Sequence, residues 1–68
     1  MYKWKIEIIL KCGKEVIGYY EGSEINSIDV AKLYLTDNFG GITDKNKTKQ
    51  IIIITSEIAA MTISADRS

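Results

Sequence analysis

Four consecutive isoleucines, Ile51–Ile54, constrain this chain more than any other feature. β-Branched side chains are stiff at χ1 and favour extended backbone. The stretch Thr48–Thr55 is therefore predicted as a strand. Neighbouring residues of a strand point to opposite faces, so two of the isoleucines face one side of a sheet and two the other. Burying one isoleucine is worth about 1.5–3 kcal/mol, and leaving two in water forfeits about 3–6 kcal/mol of a domain stability near 5–15 kcal/mol. Both faces of this sheet need cover.

The chain has little with which to supply it. Its 68 residues make one domain, and a domain of that size buries only about 60% of the surface its unfolded chain exposes. One cysteine, Cys12, and no histidine exclude an internal disulfide and a Cys/His zinc site. Small scaffolds without such staples rely on partner subunits or on very good packing. Nine basic and nine acidic residues balance, which argues against a general nucleic-acid or membrane-surface binder. No apolar run reaches the roughly 18 residues that span a bilayer. The start, MYKWKIEIILK, has charges within its apolar stretch and no small-residue cleavage site. With low cysteine use, the expectation is a soluble, cytoplasmic protein without membrane contact.

Residues 2–10 alternate, with Tyr2, Trp4, Ile6, Ile8 and Leu10 on one side and Lys3, Lys5, Glu7 and Ile9 on the other. Period two predicts a half-buried strand. Gly13 predicts a hairpin turn, with a second strand over about 15–21. Two registers are open. A two-residue turn at Cys12-Gly13 pairs Ile8 with Ile17 and Ile6 with Tyr19. A three-residue loop pairs Ile8 with Val16 and brings Tyr20 to Trp4. One residue of slip swaps the faces, so either Val16 and Tyr20 or Ile17 and Tyr19 join Ile9 on the outer side.

Ser23 or Ser27 can cap a helix over about 27–38, with Asn38 and Gly40 as its stop. Ile28, Val30, Ala31, Tyr34 and Leu35 fall on one arc of it and Asp29, Lys32 and Thr36 opposite; Leu33 sits at the margin of the polar side. Phe39–Thr43 reads as a short strand, 44–47 as a polar turn, Ser56-Glu57 as a single turn and 59–64 as a last strand with Met61 and Ile63 on one face. Residues 65–68 are expected to fray.

The order β-β-α-(β)-β-β defines an α+β fold: an antiparallel sheet with one amphipathic helix packed on one face. The outer face has two solutions. The sheet curls toward a small barrel, or a second subunit covers it. The second makes the chain a homo-oligomer, dimer or higher, through Ile9, Tyr19 or Tyr20, Leu33, Ile52 and Ile54.

Chemistry-bearing residues are sparse. Cys12 sits at a turn beside Lys11 and Lys14, which favour a thiolate, but the chain has no histidine to serve as base. Asp29, Asp37 and Asp44 lie on different elements without ligand spacing, and Glu57 reads as a turn residue. Gly40-Gly41 lacks the Gly-Lys that completes a phosphate loop. The reading is a non-enzyme with no metal and no cofactor. Lys3, Lys5, Lys11 and Lys14 cluster on the first hairpin, and Lys45, Lys47 and Lys49 on the polar turn. Lysines interleaved with aromatics suit single-strand stacking, which makes these seven the candidate nucleic-acid or anion contacts.

The stretch LKCGKEVIGYYEG resembles the first motif of Sm-like proteins, a strand, a glycine turn and a strand ending in glycine. IITSEIAAMTI resembles their second motif, with Ser56 where that motif has glycine. The likeness implies a small barrel that binds RNA. It departs from the pattern in lacking the N-terminal helix and in placing a helix after the second strand. Over most of its length the chain looks like small phage and prophage proteins of low-GC Gram-positive bacteria, in the style of Tyr2-Lys3, Gly13-Lys14 and Ile54-Thr55-Ser56-Glu57-Ile58-Ala59. That likeness implies an accessory protein acting by stoichiometric binding, such as an inhibitor of a host defence system with a protein or nucleotide-signal target.

Overall fold

The computed structural model describes residues 1–66. Five strands and one helix run in the order β1 (Tyr2–Leu10), β2 (Glu15–Gly22), α1 (Ser27–Thr36), β3 (Phe39–Thr43), β4 (Gln50–Ile54) and β5 (Ile58–Ala65), with a short 3-10 turn at Thr55–Glu57 before β5. The strands form one antiparallel sheet in the order β4-β3-β2-β1-β5. The sheet stays open, with β4 and β5 as its edges. A small barrel is therefore not the solution to the double-sided isoleucine strand.

The hairpin register is the three-residue one. Trp4 pairs with Tyr20, Ile6 with Gly18 and Ile8 with Val16. The Leu10 amide donates to the Lys14 carbonyl at 2.8 Å, and the Gly13 amide donates to the Leu10 carbonyl at 2.8 Å. Gly13 has φ +91°, a left-handed value that costs glycine nothing. This register turns Tyr20 toward the helix and Tyr19 outward. Tyr20 is thus no part of the outer face.

The buried core consists of Trp4, Ile6, Ile8, Val30, Tyr34, Ile42 and Ile53. Leu10, Val16, Tyr20, Ile51, Ile58, Met61 and Ile63 pack around it. Ile51 and Ile53 therefore face the helix, while Ile52 and Ile54 lie on the outer face. Asn26, rather than Ser23 or Ser27, caps α1: its side chain accepts the Asp29 amide at 3.1 Å. Asparagine is as good a cap as serine, and Ser27 becomes the first helical residue. The helix stops at Thr36, two residues earlier than the pattern predicts, because the sheet claims the next segment. The Asn38 carbonyl accepts the Thr55 amide at 3.0 Å, and Gly40 lies inside β3. Ile28 and Leu35, placed on the inner arc by periodicity, are exposed. This ten-residue helix buries only two side chains one turn apart, Val30 and Tyr34. At the C-terminus, Ala65 is in β5 opposite Trp4, and the Asp66 amide donates to the Lys3 carbonyl at 2.9 Å. Order thus extends to Asp66; the expected fraying of residues 67 and 68 lies outside the described residues.

The β2–β3 seam is a single register pair, Tyr19 with Thr43. Side chains hold the β3–β4 hairpin to the rest. The Tyr34 hydroxyl donates to the Gly41 carbonyl at 2.9 Å, and the Thr55 hydroxyl donates to the Tyr34 carbonyl at 2.8 Å. The latter satisfies one of the carbonyls a helix end leaves orphaned. A Cβ at Gly40 would overlap the Tyr34 ring, and one at Gly18 would lie 2.6 Å from Ile42 Cδ1. Both glycines let these side chains reach the backbone.

Gly40→Ala is expected to destabilise the fold by about 1–3 kcal/mol, the usual range for an overpacked core site. Urea unfolding reads this as a lower midpoint. Burial pushes the Tyr34 phenol up to about 12, with the charges of ionised Tyr20 and Glu24 adding to it. The fold holds the neutral form, so this contribution is whole below the ordinary value of 10 and is lost as pH rises through about 12. Stability measured from neutral pH upward should fall in that window. Tyr34→Phe should flatten the fall while costing about 0.5–1.5 kcal/mol for the lost hydrogen bond at neutral pH.

Candidate functional site

The pair of Tyr19 with Thr43 is where β2 and β3 part company. Beside this pair lies an open cleft of about 490 Å³ lined by Lys3, Tyr19, Tyr20, Glu21, Thr43, Lys45, Lys47 and Asp66. The volume is within the roughly 300–1,000 Å³ of small-ligand pockets.

Alternation along β1 and β2 presents Lys3, Tyr19 and Glu21 together. Lys3 pairs with Glu21 and Lys5 with Tyr19, so all four side chains lie opposite Trp4 and Ile6. The two lysines from the turn are placed by Asp44. Its carboxylate accepts the Thr48 amide at 2.8 Å, the Thr48 hydroxyl at 3.0 Å and the Lys49 amide at 3.1 Å. Its carbonyl accepts the Lys47 amide at 3.0 Å. The bond from the Lys49 amide, with those from Thr48, holds the Asp44 carboxyl below its ordinary value. Lys47 has φ 58°, a left-handed conformation that costs a side-chain-bearing residue about 1–2 kcal/mol. Glycine or asparagine would fit this position more easily.

Three of the seven lysines singled out from the sequence thus come together: Lys3, Lys45 and Lys47. Lys5 is engaged elsewhere, 3.6 Å from Glu7. Lys11 and Lys14 flank the β1–β2 turn at the far end of the hairpin, and Lys49 is not in the cleft lining. Cys12 is exposed on that same turn. Glu21 was legible as an acid diluting the charge of the first-hairpin lysines, but no sequence pattern marked Thr43 or Asp66 as their neighbours. Inside the cleft wall, the Tyr20 hydroxyl donates to the Glu24 carboxylate at 2.8 Å, and its ring meets that of Tyr34 edge-on at 6.3 Å. Burial, with Glu24, raises the Tyr20 phenol, so it is neutral and fixed. Tyr19 is the half-buried ring left to meet a ligand.

The candidate interface residues divide. Ile9, Ile52 and Ile54 are exposed on the outer face, along with Ile17, which one of the two open hairpin registers places there, and Phe39, which sequence reasoning missed. Phe39 pairs with Ile54, and Ile52 lies beside the bare backbone of Gly41. Phe39, Ile52 and Ile54 form a patch at the opposite end of the β3–β4 hairpin from the lysine turn. Leu33 is on α1, across the sheet from that patch. A second, apolar groove of about 410 Å³ runs between α1 and β5, with Ile28, Ala31, Leu35, Ile58, Met61 and Ile63 among its walls.

Among the described residues no group of three or more histidine, cysteine, aspartate or glutamate side chains converges to hold a metal, and no helix is long and apolar enough to cross a membrane. Comparisons with protein-family models, with curated proteins and with solved structures find no match.

The Asp44 carboxylate is ionised at neutral pH, and its bonds are lost as pH falls through its lowered value. In an NMR titration the Thr48 and Lys49 amide signals should move together, with a midpoint below that of an ordinary aspartate. Asp44→Ala should abolish that transition and speed exchange of both amides.

Proposed function

We propose that the chain is a non-catalytic binding protein that acts stoichiometrically and as a homo-oligomer. The observation behind this reading is the outer patch of Phe39, Ile52 and Ile54, exposed by 60%, 56% and 53% on an open sheet. Covering the exposed halves of these three side chains would contribute roughly 2–4 kcal/mol per subunit. The edges support the same reading. β4 (QIIII) and β5 (IAAMTISA) carry no charged residue and no proline. Monomers usually guard edge strands with such residues. In the phage-accessory reading, the oligomer occludes a host protein or captures a nucleotide signal of a defence system.

A second reading, a small single-stranded nucleic-acid binder, is favoured by the meeting of Lys3, Lys45 and Lys47 with Tyr19. The Sm likeness contributes less to it, because the open sheet lacks the barrel which that likeness implies.

Light scattering at micromolar concentration tests assembly. The expected mass is a multiple of the 7.6 kDa chain, reduced to one chain in an Ile52→Lys/Ile54→Lys variant that keeps its circular dichroism. A wild-type mass of one chain overturns the oligomer.

A further inference from the structure

We propose that the cleft between β2 and the 44–49 turn is a binding site for a phosphorylated nucleoside. The inference rests on the stoichiometric-binding reading and is independent of assembly. The lining offers three kinds of chemistry, and a nucleotide has a use for each. Lys3, Lys45 and Lys47 supply ammonium groups from two sides of the cleft, and ammonium groups bind phosphate as point charges. The half-buried Tyr19 ring supplies a stacking face for a base. Glu21 supplies a carboxylate, the group that accepts hydrogen bonds from ribose hydroxyls in dinucleotide folds.

The charge balance discriminates among anions. Three ammonium groups stand against two carboxylates, Glu21 and Asp66. A bare phosphate finds little surplus charge there and has nothing to offer the carboxylate or the ring. A nucleotide satisfies all three. The backbone at Lys47 points the same way. A residue held in left-handed conformation by a turn that Asp44 closes is an outlier that stability alone does not favour, and such outliers concentrate at functional sites. Charge on the side chain is what glycine could not supply at that position.

The same chemistry is offered by a free nucleotide and by a nucleotide within a single strand. Calorimetric titration of the full chain with adenosine monophosphate, with inorganic phosphate and with a short oligothymidylate separates these sources. Adenosine monophosphate or the oligonucleotide should bind, with affinity falling as salt rises, and inorganic phosphate should bind at least about tenfold more weakly. Binding of the mononucleotide assigns a free nucleotide; binding of the oligonucleotide alone assigns a strand.

Three substitutions locate the site. Lys47→Gly relieves the backbone, so it should keep the melting temperature and lose about tenfold in affinity, the equivalent of one charged contact. Lys45→Gln should behave alike. Tyr19→Ala should weaken the nucleotide or oligonucleotide about tenfold through lost stacking without changing the response to inorganic phosphate. The proposal is overturned if neither nucleotide probe binds, or if both lysine variants and the tyrosine variant bind as the wild type does. Such a result would leave the mass measurement, and with it the assembly reading, where it stands.

Discussion

The position of Tyr34 governs the rest of this fold. Its ring fills the space that Gly40 leaves, its hydroxyl holds the Gly41 carbonyl, and its own carbonyl is held by Thr55. One residue of the helix is thereby fastened to β3 and to Thr55, the residue that follows β4. Backbone pairing between β2 and β3 amounts to Tyr19 with Thr43, too little to orient a hairpin. Burial of Ile42 and Ile53 under α1 completes the attachment. The sheet is continuous by hydrogen bonding but is built as a three-stranded body, β5-β1-β2, with a two-stranded arm clamped to it through the helix.

That division explains where the polar and apolar surfaces lie. The arm's turn end carries Lys45 and Lys47 against Lys3 and Tyr19 of the body. Its other end carries Phe39, Ile52 and Ile54. The isoleucine strand is amphipathic only in the sense that Ile51 and Ile53 are spent on the core and Ile52 and Ile54 are not. In a chain this short, one ten-residue helix has no second face to cover.

Much of this was legible in the residues. Period two in β1 and the glycine at the first turn were enough to place the hairpin and to send Trp4 inward and Ile9 outward. The hairpin register was not legible, because β2 is apolar on both sides and either Val16/Tyr20 or Ile17/Tyr19 satisfies the pattern. The turn decided it, through a three-residue loop closed by the Leu10 amide on the Lys14 carbonyl, and no periodicity encodes a loop length. The helix was visible in its spacing, but its ends were not. Asn26 competed with two serines for the cap, and the stop came from a sheet hydrogen bond at Asn38 that is nonlocal. The lysines were visible as two separate clusters. Their meeting depends on how the arm docks, and that is set by Tyr34 and two glycines rather than by any basic residue.

The thin seam between body and arm has a thermodynamic consequence. A cleft whose walls belong to two units is complete only when the units are docked. Any molecule that bridges Lys3 and Lys47 therefore favours docking, and by linkage docking favours the molecule to the same degree. By the same linkage, a substitution that loosened Tyr34 against Gly40 would weaken a molecule held in the cleft without touching it.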